Sequence, residues 1–501
     1  MTKLYSFYSG IFADNALDFS KRSSYIREIM LERVYPQRII VPMKQGLGAE
    51  AVPTVNVGEH VYIGQCIGIV PDGVIGAPVH SGISGSVKDI RKIVLPNGIT
   101  TKVIEIVSDN KRTFHESIVP RHNLSINAKT VMGIIKNSGI IGMGGEGIPV
   151  IAKISRARKY NVKELLVNCL QSEPFATSDL YRINESPDYV VSGATAVAGA
   201  IGTEKIRFLL SDNRKAEKEV LEAAIERAKK EFKLSVDYEI CLFKERYPQG
   251  YYRLVARALY QADLKENDIL ENTVGAVMFN CSTMASCWDT IKDGIPMFQR
   301  IVTIAGDNGV SHNVLAPIGT PISEIVKSEF GAYDSTNRIL WGNALTGIRV
   351  KDFDNTPITK TTSALTIIRK VDFPTAPCLH CGLCNDACAM DISVDVAYKL
   401  IEKNMGELAI NENVLSCISC GLCSYVCPSG INLASSISEF IADYKKQNND
   451  RFATPDCDVG LNNINGEWGS FSLLEDYVEK TVEDVEDDDS IILPFEGGKR
   501  I

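Results

Sequence analysis

The chain has 501 residues, 45% of them hydrophobic and 23% charged, the proportions of an ordinary soluble protein long enough for several domains. No apolar stretch reaches the length that crosses a bilayer, so membrane contact is expected to run through a partner. The net charge is −9 and no basic run follows a phosphate backbone, which argues against nucleic acid.

Residues 1–35 show no pattern, and "MTKLYSFYSG" lacks the apolar region of a signal peptide. A cytoplasmic setting with reduced cysteines is therefore expected. From 36 to 115, short β-strands are punctuated by glycines. "VNVGEHVYIGQCIGIV" followed by "IGAPVHSGISGSV" has the strand, glycine turn, strand and mirrored half of a lipoyl-like barrel-sandwich hybrid. The hairpin that would carry a swinging cofactor holds His80, Ser81 and Gly82 in place of a lysine, so the module reads as a rigid scaffold.

Between 120 and 295 strands and helices alternate, predicting an α/β domain with a largely parallel sheet. "ELLVN", "KIRFLL" and "YEICLF" are short buried-strand runs, and residues 214–232 have helical periodicity. The domain opens with "SGIIGMGGEGIPVIAK", in which Gly142, Gly144, Gly145 and Gly147 separate an apolar segment from a helix. Such glycines admit positive φ and let backbone N–H groups approach a phosphate or a flavin ring, although glycine clusters also serve plain turns. The loop is neither a Walker loop nor a clean G-x-G-x-x-G fingerprint. "LLVNCLQSEPF" ends a strand at Asn168 and carries Gln171, Ser172 and Glu173 on the next turn. "FKERYPQGYYRLV" and "VMFNCSTMAS" place Gly250, Asn280 and Thr283 just past strands. Open α/β sheets bind ligands at the carboxyl ends of their strands, so these segments outline a crevice.

Residues 296–368 return to β-strands with glycine and proline turns and a helix, as in a small SLBB-like β-grasp unit. Residues 369–445 hold two cysteine runs of identical C-x2-C-x2-C-x3-C spacing: Cys378, Cys381, Cys384 and Cys388, then Cys417, Cys420, Cys423 and Cys427. That spacing wraps a [4Fe–4S] cube, and in two-cluster ferredoxins the fourth cysteine of each run serves the other cube. One cube is expected on Cys378, Cys381, Cys384 and Cys427, the other on Cys417, Cys420, Cys423 and Cys388. Zinc ribbons use paired C-x2-C elements instead. Ala389 replaces the usual closing proline of the first run, and His380 reads as a surface or outer residue. The remaining six cysteines, Cys66, Cys169, Cys241, Cys281, Cys287 and Cys457, share no metal spacing and read as packing thiols. An acidic stretch within 446–501 reads as a solvated tail.

The order glycine loop, N-C-x-x-S-E-P, Y-P-x-G, F-N-x-x-T, β-grasp and double cysteine run resembles the RnfC family of electron-transfer subunits over roughly residues 36–440. The family's flavin domain is similar to the NADH-binding subunit of respiratory complex I. The resemblance implies a Rossmann-like flavin domain in a multidomain α/β and α+β chain. It implies FMN held by the glycine loop, Lys153, Asn168 and Asn280, with NADH as electron donor and two [4Fe–4S] clusters as the exit. Protein partners, a reductase or other electron-transfer subunits, are implied as well. The departures are Glu146 for a small alanine, Ile148 for an aromatic residue, Gln171 and Tyr252 for acids, and "WGN" at 341–343 for a G-G-P motif.

Two functions follow. One is an oxidoreductase subunit that splits the hydride pair of NADH at FMN and passes single electrons through the cubes. The other is an iron–sulfur adaptor or scaffold that has lost NADH, with or without FMN, because the departures cluster on the nucleotide side.

Overall fold

A computed structural model of the chain describes residues 3–6, 11–12, 31–121, 124–170, 173–232, 235–265, 268–306, 311–330, 337–369, 375–448 and 491–493. Its central unit is a five-stranded sheet in the order Leu4–Tyr5, Asp237–Phe243, Lys205–Ser211, Glu164–Asn168 and Ala276–Asn280, every neighbouring pair parallel. A parallel sheet is covered on both faces, which is why its strands read as continuous apolar runs. Leu165, Val167 and Phe208 face a core shared with Val197, Leu221 and Met284 of the helices on one side. Leu166, Leu209 and Met278 face Val255 and Leu259 of the helix Tyr252–Tyr260 on the other. On the first side the helices Pro187–Ile201 and Cys281–Asp293 approach so closely that a Cβ on Gly193 would overlap the Met284 backbone.

The helix Ala128–Ser138 is fixed at both ends by its sequence. Asn127 accepts the Thr130 N–H at 2.7 Å, and Gly139 closes it at φ +71°. Directly after Gly139 the chain enters the glycine loop, and the helix Val150–Lys159 follows.

Residues 38–108 form a four-stranded antiparallel sheet (Arg38–Pro42, Thr100–Ser108, Gly85–Val94, His60–Val61) beside a three-stranded one (Val52–Pro53, Cys66–Ile69, Val79–His80). Ile39, Val41, Ile67, Val87 and Ile106 fill the space between them. A six-stranded sheet runs Ile348–Arg349, Asn337–Trp341, Ala364–Arg369, Gln299–Gly306, Ser311–Pro317 and Glu32–Arg33, with the helix Ile322–Phe330 packed on it. These units meet at Lys360. Its fully buried ammonium donates to the carbonyls of Pro78 and Gly139, each at 2.7 Å. His80 is thus on a docked hairpin, buried beside Lys360, and burial holds its pKa down at about 3.

Two expectations need correction. The patternless N-terminus is structural at its described points: Leu4–Tyr5 extends the parallel sheet, Ile11–Phe12 pairs with Arg246–Tyr247, and Glu32–Arg33 edges the six-stranded sheet. Two-residue strands carry too little periodicity to be seen in sequence. The segment 446–501 is not tail throughout. The helix Leu433–Gln447 crosses its start, and Ile491–Leu493 pairs antiparallel with Leu124–Ile126. The acidic stretch itself, and Cys457, lie outside the described residues.

The cysteine-rich unit is a set of short helices, Leu383–Ala387, Val394–Glu402, Leu422–Tyr425 and Leu433–Gln447, around Ile392, Ala397, Val414 and Ile437. Leu254 of the α/β domain belongs to this same core. Among the described residues no helix is long and apolar enough to cross a membrane.

Candidate functional site

Asn168 and Asn280 end adjacent parallel strands and stand opposite each other in register, so both lie at the carboxyl edge of the sheet. The glycine loop folds over them. Gly142 N–H bonds the Ile148 carbonyl at 2.7 Å, Gly147 N–H bonds back to Gly142, and Met143 N–H donates to Thr283 Oγ1 at 3.0 Å. A Cβ on Gly144 would stand 3.4 Å from Asn280 Cβ. Gly145, at φ +104°, has open space where a Cβ would be. The loop therefore has one packed side and one bare side that a ligand ring can approach. Gly147 sits against Gly46 and Thr361, and its carbonyl accepts from Leu47 N–H at 2.9 Å, so three units converge on the loop.

The polar residues of the crevice are also bonded to each other. Asn168 Nδ2 donates to the Gly250 carbonyl at 3.0 Å and its Oδ1 accepts from Leu170 N–H at 3.1 Å. Asn280 Oδ1 caps the helix Cys281–Asp293 through Ser282 N–H and Thr283 N–H, and its Nδ2 donates to Asp179 at 2.6 Å. Lys153 lies 5.2 Å from the Phe279 ring centroid and 3.5 Å from Glu146. The residue that departs most from the family loop thus engages the lysine that the resemblance assigns to FMN. Ser172 and Gln171 lie outside the described residues.

Sequence reading missed a charge network below the crevice. Arg300, buried on the six-stranded sheet, stands near both Asp179 and Glu173. Burial raises the pKa of each carboxyl, and the Arg300 charge opposes that rise. Ser282 Oγ donates to Asp179 at 2.5 Å, and the Ser363 hydroxyl donates to Glu173. Burial in turn lowers Arg300 to about 10. No local spacing links positions 173, 179 and 300, so only the fold reveals them as a group.

One turn joins the crevice to the cysteines. Gly250 receives Asn168, as above. Three residues earlier, Tyr247 donates its hydroxyl to the Cys420 carbonyl at 2.7 Å. Tyr251 packs on the core of the cysteine-rich unit and lies near enough to Glu146 and Cys417 to feel both charges, although burial is the main cause of its raised pKa. Tyr252 is partly buried against the core beneath the sheet, its ring centroid 5.0 Å from that of Tyr251, and its hydroxyl accepts from Arg253 Nε at 3.3 Å.

The cysteines fall into two groups that cross the runs. One pocket is lined by Cys378, Cys381 and Cys384 of the first run together with Cys427 of the second. Burial raises the pKa of Cys417, Cys420 and Cys423, the last two to about 12, and the charge of nearby Cys388 pushes each the same way. Iron held by these cysteines would reverse that penalty, because a metal-bound thiol is deprotonated. Among the described residues no three His, Cys, Asp or Glu side chains converge on a single metal ion. Gly382 and Gly421, at φ +77° and +81°, make the same turn in each run. His380 lines the first pocket, with Lys399 Nζ 2.9 Å from its Nε2.

Comparison with known proteins follows this layout. The RnfC barrel sandwich hybrid domain matches residues 6–111, the Nuo51 FMN-binding domain 135–289, and a 4Fe-4S dicluster domain 370–428. One component of the proton-translocating ferredoxin:NAD(+) oxidoreductase complex of Clostridium ljungdahlii is 28% identical over 414 residues, covering 82% of this chain and 87% of that one. The corresponding component of the Na(+)-translocating ferredoxin:NAD(+) oxidoreductase complex of Acetobacterium woodii is 27% identical over 422 residues, covering 82% and 93%. A solved NAD+-reducing [NiFe]-hydrogenase aligns with 65% of this chain and 62% of its own, at 14% identity and a TM-score of 0.47. The chain is RnfC-like, joining an RnfC barrel-sandwich hybrid domain to an FMN-binding domain of the Nuo51 type and a 4Fe–4S dicluster domain.

Proposed function

We propose that the chain is an electron-transfer subunit that moves electrons between NADH, at an FMN crevice, and a protein partner through two [4Fe–4S] clusters. The observation that carries this reading is the turn 247–250, bonded to the crevice at Gly250 and to the second cysteine run at Tyr247. FMN supplies the exchange between a hydride's electron pair and the single electrons a cube accepts. The residues present fit it. The bare side at Gly145 admits a planar ring, and Lys153 is placed to neutralise a phosphate once it leaves Glu146. Gly142, Gly144 and Gly147 shape the loop, and Asn168, Glu173, Gly250, Asn280 and Thr283 form the crevice around it; Ser172, outside the described residues, is proposed with them from its place in the sequence. Tyr251, packed on the core of the cysteine-rich unit, lies near both Glu146 of the loop and Cys417. The clusters are assigned to Cys378, Cys381, Cys384 and Cys427, and to Cys417, Cys420, Cys423 and Cys388.

The partners are proposed from the relatives: the other subunits of a ferredoxin:NAD+ oxidoreductase complex, through which the chain meets a membrane. The second reading, an adaptor without nucleotide, is favoured by the Glu146–Lys153 pair, which places a carboxylate where anionic phosphates would lie. Flavin analysis of anaerobically purified protein, followed by addition of NADH, separates the two. Bound FMN with NADH-dependent bleaching of the cluster absorbance supports the first, and clusters without flavin support the second.

A further inference from the structure

Cys169 and Cys281 stand one residue past Asn168 and Asn280, which pair in register on adjacent parallel strands. Successive side chains of a strand alternate between the two faces of the sheet. Leu165, Val167 and Cys169 therefore form one row on the first helix-covered face, and Val277, Phe279 and Cys281 form the next, all six in one core. The two thiols end neighbouring rows side by side. Neighbouring strands lie about 4.8 Å apart, inside the Cα separation of about 4.4–6.8 Å that a disulfide requires. Both cysteines are buried and both are free thiols in the structure. The Cys281 thiol interacts with that of Cys169, and its Sγ lies 4.0 Å from the Asp179 carbonyl oxygen.

The pair is placed where a bond would act on the whole crevice. Asn168 holds the Gly250 carbonyl, and Asn280 caps the helix that Cys281 begins. Thr283, on the first turn of that helix, receives Met143 N–H of the glycine loop. A link between positions 169 and 281 would draw these two strand ends together and carry the loop with them. Burial and the nearby Asp179 charge keep the Cys281 thiol protonated, so a bulky disulfide neither reaches it nor finds a thiolate to attack. The site suits a small oxidant. Cys287 supplies a comparison, since it is fully buried further along the same helix, beside Asp289.

We propose that Cys169 and Cys281 are a redox-sensitive dithiol that hydrogen peroxide closes to a disulfide, loosening the crevice's hold on flavin. The flavin consequence rests on the function proposed above, whereas the disulfide does not. Each thiol gives up one proton and one electron, and an S–S bond forms. The O–O bond of one peroxide molecule breaks, and two waters leave. A reduced flavin that meets dioxygen yields this oxidant at the same crevice. The closed pair would then release the group whose exposure to oxygen produced the peroxide. Thiol reductants of a reducing compartment restore the open form.

The test treats anaerobically purified full-length protein with hydrogen peroxide, denatures it in iodoacetamide, then reduces it and labels it with N-ethylmaleimide. Peptide mass spectrometry should find the second label on Cys169 and Cys281 together, and their two peptides linked before reduction. Cys287 should carry the first label. Flavin affinity, read by fluorescence titration, should fall about tenfold on oxidation, as a displaced binding residue implies, and recover with dithiothreitol. Cys281→Ser should keep its affinity through the same treatment, which separates the pair from peroxide damage to the clusters. Cys169→Ser takes its place if that variant fails to fold. The first label on both cysteines, or oxidation of one sulfur without linkage, overturns the proposal. A linked pair with unchanged flavin affinity overturns the switch. A linked pair in a chain that binds no flavin when reduced would refute the function above and leave the dithiol standing.

Discussion

Tyr247 and Cys420 are 173 residues apart in sequence, yet the tyrosine hydroxyl donates to the cysteine carbonyl at 2.7 Å. The bond ties the ligand-crevice turn to the second cysteine loop. Tyr247→Phe removes it while keeping the ring in its apolar site against Leu422. The expected loss is about 1 kcal/mol of stability, with iron content retained and transfer from flavin to cluster slowed. Urea denaturation and rapid-mixing spectroscopy read the two effects separately.

Glu146 stands 3.5 Å from Lys153, the lysine proposed to meet the FMN phosphate. Glu146→Ala should strengthen flavin binding by about tenfold, which corresponds to about 1.4 kcal/mol, and Lys153→Met should abolish most of it. Flavin fluorescence titration measures both. Tyr252 is partly buried against the core beneath the sheet, so Tyr252→Glu is expected to destabilise the domain, which urea denaturation measures.

Much of the framework was legible in the sequence, and the reason is local. The strands Glu164–Asn168 and Lys205–Ser211 are continuous apolar runs because both faces are buried, and each cysteine run must loop tightly around its cube. The crevice residues at strand ends were legible for the same reason. Glu146 was visible as an odd residue, but its bond to Lys153 depends on the loop's path over the sheet. Arg300, Asp179 and Glu173 come from two units, and no periodicity announces them. Nothing local in the sequence marks Lys360 either, whose burial comes only from the meeting of three units.

Arg300 moderates two buried carboxyls at once. Arg300→Met should cost about 3 kcal/mol, because the acids beneath the crevice lose their compensating charge. Chemical denaturation of the variant checks the magnitude, and flavin affinity should fall with it, since Asp179 holds Asn280.

Lys360 gives stability a pH signature. Burial lowers its pKa from 10.5 to about 7, so between those values the unfolded chain binds more protons than the folded one. Stability should therefore rise with pH across that window and be flat in this respect below it. His80, lowered from 6.5 to about 3, adds a loss of stability as pH falls from 6.5 toward 3. Urea denaturation at a series of pH values should show both slopes, and Lys360→Met should flatten the upper one.

The exchange of fourth ligands is open to a paired substitution. Cys388→Ser should damage the cluster of the second run and leave the first-run signal, and Cys427→Ser should do the reverse. Electron paramagnetic resonance of the reduced variants distinguishes them. Damage confined to the run that carries each substitution would mean that each run closes its own cube.

The most direct test of the whole account is the cofactor content of anaerobically purified full-length protein. Two four-iron clusters and one flavin predict about eight irons, about eight sulfides and about one FMN per chain. Bound zinc, a single cluster, or clusters with no affinity for FMN would contradict it.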